Sequence, residues 1–454
     1  MNTGKIAGRI LFSMIFVLAA SVFAQDWPQF LGPESNSTSP QKGLLRAWPE
    51  SGPEVLWTVA VGRGYGGPAV KDGKVYLLDR DDQAGDNLRC FELSSGKELW
   101  NFAYDAPGSV MFPGSRSVPT LDGNYAFSCG QNGDLYCIDI NTHKPVWNNN
   151  VWTDFGGKPN SGEGGFGGGP DGFPTWAISQ CPLIHDDLLI IASQAPDAGV
   201  VAYNKLTGDV KWRTPSLGAV GYASPAIVRI DGEDHVVMIT ASQGGRRGPV
   251  VNGKIVGINA LTGDILWEYE DWQCHIPVPS AVDAGDNKVL VVGGYELGAV
   301  MIKVEKKSDG SYGTTEVFKT EEFGDQTKPP ILHNGYFYAQ YGTNNRRDGL
   351  VCMSVDGEIM WKTKRKPDFN KGSMILADGL ILASDGRKSL YLIEPDPSGF
   401  KPLASAEMLG ETKSDDPMAA RFGGPTQNWA PIALADGRLL IRDQNRMMCV
   451  KVVQ

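Results

Sequence analysis

The stretch Leu88-Arg-Cys-Phe-Glu-Leu-Ser-Ser-Gly-Lys-Glu-Leu-Trp100 decides the fold, because the same phrase returns along most of the chain. It predicts two short strands joined by a glycine turn, with a large aromatic side chain in the second strand. Clear copies end in Thr207-Gly-Asp-Val-Lys-Trp212 and Thr262-Gly-Asp-Ile-Leu-Trp267. With the fainter copies included, the predicted strand ends are Trp57, Trp100, Trp147, Trp212, Trp267, Phe318, Trp361 and Leu409.

These strand ends predict eight units of similar length. The spacing runs from 43 residues, between Trp57 and Trp100, to 65 residues, between Trp147 and Trp212, enough for four short strands with loops. Units that expose apolar faces until they stack on a neighbour close radially into a propeller. The last copy lacks its Trp strand, and the segment around Trp57 supplies one. We therefore predict an all-β fold, an eight-bladed β-propeller of four-stranded antiparallel blades whose N-terminal strand closes the last blade. A linear β-solenoid, the alternative, needs no donated strand.

The N-terminus has the pattern of a secretory signal peptide. Lys5 and Arg9 precede an uncharged apolar run, Ile10 to Ala24, that is short for a membrane span. The alternative is a retained N-terminal anchor. We predict an exported protein, periplasmic or extracellular, with no transmembrane segment in the mature chain. The predicted organisation is a signal peptide over 1–24, an N-terminal extension over 25–51 and the propeller over 52–454.

The composition narrows the classes of partner. The 454 residues are 41% hydrophobic and 21% charged, with a formal net charge of −10, which is typical of a globular protein. The acidic balance argues against nucleic acid as a partner. Five scattered His and the spacing of the Cys residues predict no metal site.

Seven cysteines in an exported protein would suggest disulfides. Four of them, Cys90, Cys137, Cys352 and Cys449, share one column of the repeat. Equivalent positions on stacked sheets lie about 10 Å apart, too far for a disulfide. We therefore predict buried free thiols in this column. Cys129 is expected to face Cys137 across one hairpin, which leaves a disulfide between these two open.

The repeated phrase, apolar-Asp/Glu/Asn-x-x-Thr/Ser-Gly-Lys/Asp-x-x-Trp, occurs at 91–100, 203–212 and 258–267. It resembles the tryptophan-docking repeat of the pyrroloquinoline-quinone (PQQ)-like propeller superfamily, and the resemblance covers residues 52–454. The opening Asp26-Trp-Pro-Gln-Phe-Leu-Gly-Pro33 is similar to the start of exported bacterial PQQ-like repeat proteins. The resemblance implies either a quinoprotein dehydrogenase, with PQQ and calcium at the propeller centre, or a binding propeller similar to the assembly factor BamB, without the cofactor.

The starts of the predicted inner strands depart from the dehydrogenase pattern. Each start carries a residue of one column: Pro68, Pro119, Pro182, Pro225, Pro279, Pro330, Ser373 and Pro431. The resemblance implies Glu, Asn and Asp ligands to calcium near these positions and a disulfide between adjacent cysteines. The chain has no Cys-Cys, and no carboxylate stands two or three residues before the column. Because calcium prefers anionic oxygen ligands, we predict no cofactor, with PQQ and calcium as the alternative.

Basic and aromatic residues recur at these strand starts and on loops expected at the same face. Arg and Lys suit carboxylate, sulfate or phosphate groups, and aromatic rings stack on sugars or quinones. The alternative is scattered solvated charges with aromatics that plug the channel. His275, beside a strand start, is the candidate for proton transfer, although a lone loop His is more often structural. The predicted ligand-binding residues are Tyr65, Arg116, Tyr222, Arg246, Lys328, Arg346, Lys371 and Trp429, with Trp272 as a further aromatic.

These observations predict an exported, monomeric propeller that serves as a binding or scaffold module. Its partner would be a protein, a polymer or a small anionic or carbohydrate-like ligand at the top-face mouth. The alternative is a quinoprotein-type oxidoreductase, an alcohol or sugar dehydrogenase using PQQ. A third hypothesis is an enzyme that acts on acidic polysaccharide. The sequence leaves open whether any catalysis occurs.

Overall fold

The computed structural model describes residue 1 and residues 25–161, 172–245, 248–342, 346–410 and 427–454. The regular secondary structure of these residues is almost entirely β-strand, with one 3-10 helix at Thr153–Phe155. In the described ranges, no helix is long and apolar enough to cross a bilayer.

The strands form eight antiparallel four-stranded sheets, the blades of a propeller, as predicted. From inner to outer strand, blade 1 consists of β3 (Ala69–Lys71), β4 (Lys74–Asp81), β5 (Gly85–Glu92) and β6 (Glu98–Ala103), and blade 2 of β7 (Thr120–Asp122), β8 (Tyr125–Cys129), β9 (Asp134–Asp139) and β10 (Lys144–Asn150). Blade 3 consists of β11 (Leu183–His185), β12 (Leu188–Ala195), β13 (Ala198–Asn204) and β14 (Val210–Arg213). Blade 4 consists of β15 (Ala226–Ile230), β16 (Glu233–Ile239), β19 (Ile255–Asn259) and β20 (Ile265–Tyr269). A small hairpin, β17 (Gln243–Gly245) and β18 (Gly248–Val251), extends from blade 4.

The other four blades follow the same plan. Blade 5 consists of β21 (Val282–Asp283), β22 (Lys288–Gly293), β23 (Gly298–Lys306) and β24 (Tyr312–Thr320), and blade 6 of β25 (Ile331–His333), β26 (Tyr336–Gln340), β27 (Leu350–Ser354) and β28 (Ile359–Lys362). Blade 7 consists of β29 (Ser373–Ala377), β30 (Leu380–Ser384), β31 (Ser389–Glu394) and β32 (Lys401–Glu407). Blade 8 consists of β33 (Ala433–Ala435), β34 (Arg438–Arg442), β35 (Arg446–Lys451) and β2 (Val55–Ala60). First strands of adjacent blades touch, for example β3 with both β7 and β33, which places them around the axis.

Blade 8 combines strands from both ends of the chain. The N-terminal strand β2 pairs antiparallel with β35, so that Val55 lies opposite Val450 and Trp57 opposite Cys449. The other two strands of this sheet, β34 and β33, come from the C-terminal region. The ring is therefore closed by backbone hydrogen bonds between residues almost 400 positions apart.

In half of the blades the recurrent aromatic residue of the outer strand docks on the glycine turn of the next blade; these residues are Trp57, Trp147, Trp212 and Phe318. The Trp267 indole N–H donates instead to Nδ1 of His235 in its own blade. The Trp57 indole N–H donates to the carbonyl oxygen of Leu93 at 2.8 Å, and its ring lies on Gly96. A Cβ on Gly96 would stand 2.7 Å from that ring, and φ there is +71°. Trp147 repeats the arrangement on Gly208. The Gly and the Trp of the repeated phrase are thus two halves of one contact between blades.

Two blades show how this contact varies. Trp100 meets His143 instead of Gly, with the rings stacked at 4.8 Å, and His143 adopts the φ of +59° that the turn requires. In blade 7 the prediction of a strand end at Leu409 is wrong. The residue that pairs with Leu392, where other blades carry Trp or Phe, is Ala404. A small residue leaves no aromatic signal in the sequence.

All seven cysteines are buried free thiols. Cys90, Cys137, Cys352 and Cys449 lie in the predicted column, each opposite the Trp of its blade. The expected facing of Cys129 and Cys137 is wrong, because the register places Cys129 opposite Leu135 and Cys137 opposite Phe127. A slip of two residues along the hairpin separates the two sulfur atoms.

The segment before β2 fills the axial channel between the inner strands. Trp27 exchanges both backbone hydrogen bonds with Val70 of β3, and the Leu121 N–H of β7 donates to Pro28. The chain then turns back as β1 (Thr38–Ser39), parallel to β29. Residues 25–39 thus form a plug that contacts blades 1, 2 and 7.

Candidate functional site

A cavity of about 440 Å³ lies on the axis, where the loops enter the inner strands. Each of the eight blades contributes a residue just before its inner strand, which fits the face expected from the sequence. Phe30 of the plug also lines the cavity. The lining of this axial cavity is Phe30, Tyr65, Phe112, Arg116, Trp176, Ser179, Cys181, Tyr222, Ser224, Ile276, Val278, Tyr295, Gln326, Thr327, Lys328, Lys371, Trp429 and Pro431.

One wall of the axial cavity is a pair of stacked rings. Tyr65 and Trp429 lie 5.3 Å apart between centroids, with 26° between their planes, and Phe112 packs at 5.6 Å from Trp429. The Tyr65 hydroxyl donates to the Gln427 side-chain oxygen at 2.7 Å, which fixes the ring. Rings held in this way present a flat surface without losing much conformational entropy when a ligand stacks on them.

Three cations surround these rings. The Arg116 guanidinium lies 5.4 Å from the Tyr65 ring and donates to carbonyl oxygens of Met111, Phe112 and Gly114. The Lys328 ammonium donates to the Trp429 carbonyl oxygen at 2.9 Å. The Lys371 ammonium lies 4.2 Å above the Trp429 ring. Positive charge is therefore concentrated at one side of the cavity.

The cavity offers these cations little compensation. Among the described residues that line it there is no Asp or Glu. Burial lowers the pKa of Lys328 and that of Lys371 to about 8, and lowers the pKa of Arg116 to about 10. Loss of hydration disfavours the charged form of a base, which is the cause in all three cases. An anion bound in the cavity would stabilise the charged forms of these three side chains, which burial has deprived of hydration.

A carboxylate stands behind Lys328, outside the lining. Asp325 is buried and accepts backbone N–H groups of Thr327, Lys328 and Gln340. Burial raises its pKa to about 6, against the opposing effect of these hydrogen bonds and of the Lys328 charge. Asp325 therefore holds the loop that carries Lys328.

The opposite wall is aromatic and apolar. Trp176 packs edge-on against Tyr222 at 5.3 Å, and Ile276 and Val278 line the surface beside them. Tyr295, exposed at the rim, has φ of +55° in the turn between β22 and β23. A positive φ at a bulky residue costs about 1 kcal/mol or more of folding free energy. This backbone conformation holds the Tyr295 side chain at the rim of the cavity.

Six of the eight predicted binding residues meet in the axial cavity: Tyr65, Arg116, Tyr222, Lys328, Lys371 and Trp429. Arg346 lies outside it, in ion pairs with Glu322 and Asp348. Arg246 falls outside the described residues. The expectation for Trp272 is wrong, because this ring is fully buried in the core between blades 4 and 5.

The proposed proton-transfer residue is at the edge of this region. His275 is exposed, outside the cavity lining, and its Nδ1 donates to the Ser242 carbonyl oxygen at 2.9 Å. The sequence analysis missed Phe30, Phe112, Trp176 and Tyr295 as lining residues. Only Trp176 left a signal, as an aromatic residue that follows the glycine-rich stretch 156–172.

The donor set does not fit a calcium-bound quinone. Within the described ranges, no group of three or more His, Cys, Asp or Glu side chains is placed to hold a metal ion. The oxygen donors of the cavity are hydroxyls, amides and carbonyls, and a divalent cation here would face Arg116, Lys328 and Lys371. The described lining therefore offers more partners for an anion than for a divalent cation.

Comparison with solved structures identifies propellers with a similar fold. BamB from Moraxella catarrhalis aligns with 88% of this chain and 99% of its own at 11% identity, with a TM-score of 0.56. A europium-containing methanol dehydrogenase aligns over 94% and 89% at 13% identity, TM-score 0.61. A quinohemoprotein alcohol dehydrogenase from Comamonas testosteroni aligns over 94% and 80% at 12% identity, TM-score 0.61. At these identities the likeness concerns the fold.

The chain has the fold of a PQQ-like β-propeller. Within that class, residues 84–306 match the family model described as outer membrane protein assembly factor BamB. No curated protein matches the sequence.

Proposed function

We propose that this protein is a binding propeller whose axial cavity holds a small anionic ligand with a flat ring. The concentration of Arg116, Lys328 and Lys371 around the Tyr65–Trp429 pair, in a lining without carboxylates among the described residues, carries the proposal. A volume of about 440 Å³ is within the range of small-molecule sites. Residues 27–39 pair with the inner strands β3, β7 and β29 beside the axis, which favours a compact ligand over a polymer threaded along it.

Calorimetric titration with PQQ, a flat tricarboxylate, tests this function on the chain from Gln25 to Gln454. We expect one-to-one binding that does not require calcium. Lys328→Met should weaken it about tenfold or more, because a charged hydrogen-bond donor to an anion is worth about 1.5–3 kcal/mol. Lys211→Met, on an exposed position of β14, is the matched control and should bind like the wild type.

Two results would contradict the proposal. Absence of binding by the folded protein to PQQ and to simpler aromatic dicarboxylates would remove the small-ligand function. Binding that depends on calcium would instead favour the quinoprotein oxidoreductase, whose cofactor requires the metal.

A partner protein is the second candidate, and the BamB family match over 84–306 favours it. The partner would dock at the rim of the same face, where Tyr295 is exposed. Cross-linking through a photoreactive residue at position 295 in living cells would capture such a partner. Replacement of Lys362, which lies in ion pairs on the outer strand β28, by the same residue is the control.

We also propose that residues 1–24 are a signal peptide and that the protein is exported. This rests on Lys5 and Arg9 before the apolar run up to Ala24. N-terminal sequencing of the protein recovered from a bacterial host should give Gln25 as the first residue. Recovery of the uncleaved chain in a membrane fraction would indicate a retained anchor instead.

A further inference from the structure

Among the described residues that line the axial cavity, Lys371 is the cation without a polar partner. Arg116 donates to three carbonyl oxygens, and Lys328 donates to the carbonyl oxygen of Trp429. In the part of the chain that the structure describes, the Lys371 ammonium makes no hydrogen bond or ion pair and contacts the indole face of Trp429. Its nitrogen therefore points at the space a ligand would occupy.

These surroundings favour the neutral amine more than water does. The ring beneath the Lys371 nitrogen is apolar, and no described carboxylate lines the cavity. Burial lowers the pKa of this group to about 8, so about a tenth of it is the free amine at pH 7. An ordinary exposed lysine has less than about a thousandth in this form at the same pH. A desolvated lysine in an aromatic pocket is a typical amine nucleophile.

Building on the proposed function, we propose that the axial cavity captures flat, anionic aldehydes or ketones as imines on Lys371. The lone pair of Nζ attacks the carbonyl carbon, and the carbonyl oxygen takes a proton to give a carbinolamine. Loss of water then forms the C=N bond. Both hydrogens of the neutral amine leave with the ligand's oxygen, so the step needs no oxidant or reductant and is reversible.

The three cations take different parts in this capture. Lys328 and Arg116 each donate to backbone carbonyl oxygens, which fixes their side chains beside the stacked rings, and in their protonated forms they bind the carboxylate or phosphate of the ligand. The stacked rings of Tyr65 and Trp429 support the flat body of the ligand. Lys371, above Trp429, is then positioned to meet a carbonyl group carried on that body.

The test uses 4-formylbenzoate, a flat anionic aldehyde, with cyanoborohydride to trap the imine as a stable secondary amine. Peptide mapping by mass spectrometry at pH 7.5 should place the first adduct on Lys371, at a rate about tenfold or more above any exposed lysine, because of its larger free-amine fraction. Lys328 has a similarly lowered pKa, but its nitrogen is hydrogen-bonded to the Trp429 carbonyl oxygen, so it should be labelled more slowly than Lys371. Terephthalate, which has the same shape and no aldehyde, should compete and protect Lys371.

Lys371→Arg keeps the positive charge and removes the nucleophile. The variant should melt like the wild type and give no adduct at position 371, while terephthalate binding by the wild type reports on the proposed function separately. Lys211→Arg, the exposed control, should be labelled like the wild type. Terephthalate binding without preferential labelling of Lys371 would overturn the imine proposal alone. Absence of terephthalate binding by the folded wild type would overturn the proposed function as well.

Discussion

Lys328 and Lys371 give the binding of an anion a defined pH dependence. Burial holds the pKa of both near 8 in the empty cavity. An anion binds to the protonated forms, so raising the pH through 8 removes the charges that attract it. We expect affinity for terephthalate to fall about tenfold or more between pH 7 and pH 9.5.

The neighbouring titratable groups have their pKa values away from 8, where Lys328 and Lys371 lose their protons. Arg116 has a pKa near 10 and Tyr222 one near 12, while Asp325, with a pKa near 6, is already ionised at pH 7. Calorimetry at four pH values checks the prediction. The slope should be shallower in Lys371→Met, and an affinity that does not change with pH would contradict the assignment of both lysines to the site.

At the residue scale the sequence predicted the cavity well where the repeat carries the signal. The repeat places six predicted residues around the axis, because each stands two or three residues before the column residue that starts an inner strand: Tyr65, Arg116, Tyr222, Lys328, Lys371 and Trp429. Phe30 and Phe112 lie in segments without that register, and their approach to the axis depends on the path of the chain. Trp272 stands seven residues before its column residue, Pro279, and so lies outside that register; its ring packs between blades.

At the scale of the element, the free-energy cost of replacing a glycine in a turn has two parts, one from the backbone conformation and one from the docked Trp. Gly208 and Gly335 have similar backbone angles, with φ of +76° and +81°. A Cβ on Gly208 would stand 2.7 Å from the Trp147 ring, whereas one on Gly335 would meet nothing within 4 Å. Alanine at either position pays for the left-handed conformation, about 1–2 kcal/mol. Only alanine at position 208 also displaces the docked Trp.

We therefore expect Gly208→Ala to lower the free energy of unfolding by about 1–3 kcal/mol more than Gly335→Ala does. Urea denaturation followed by tryptophan fluorescence measures both values. Equal losses for the two variants would show that the recurrent Gly serves only the backbone, and that docking by Trp147 adds nothing.

The strands were predictable where a large residue marks them. Seven of the eight Trp-position residues, from Trp57 to Trp361, were located from the sequence, while Ala404 was not, because Ala can occupy any site in a sheet. The prediction that Cys129 faces Cys137 was wrong for a different reason. Its register depends on where the turn at Gly133 begins, and a shift of this kind changes which residues face each other without altering the hydrophobic pattern.

At the scale of the whole molecule, the ring has one joint unlike the others. Trp57 and Trp212 are equally buried, each 8% exposed, and each donates its indole N–H to a carbonyl oxygen of the next blade. Trp212 lies on β14, which a tight turn links to β13. Trp57 lies on β2, whose partner β35 is at the far end of the sequence.

Trp57→Ala and Trp212→Ala should each cost about 3–5 kcal/mol of folding free energy from lost packing. Hydrogen exchange should distinguish them, because β2 has no short link to hold it in place. We expect backbone amides of residues 446–451 to lose protection in Trp57→Ala, while those of β13 in Trp212→Ala stay protected. Similar protection of the two strands would mean that the closing joint is as firm as the others.

The pairing of β2 with β35 also orders events during synthesis. Strand β2 leaves the ribosome early, and its partner, residues 446–451, follows only after the other seven blades. Closing so long a loop is entropically unfavourable and slow. Until then the inner face of blade 1 and the edge of β2 stay exposed to proteases and chaperones. A chain interrupted before Arg446 can never cover them, so the closed ring marks a chain whose translation has run through its last strand.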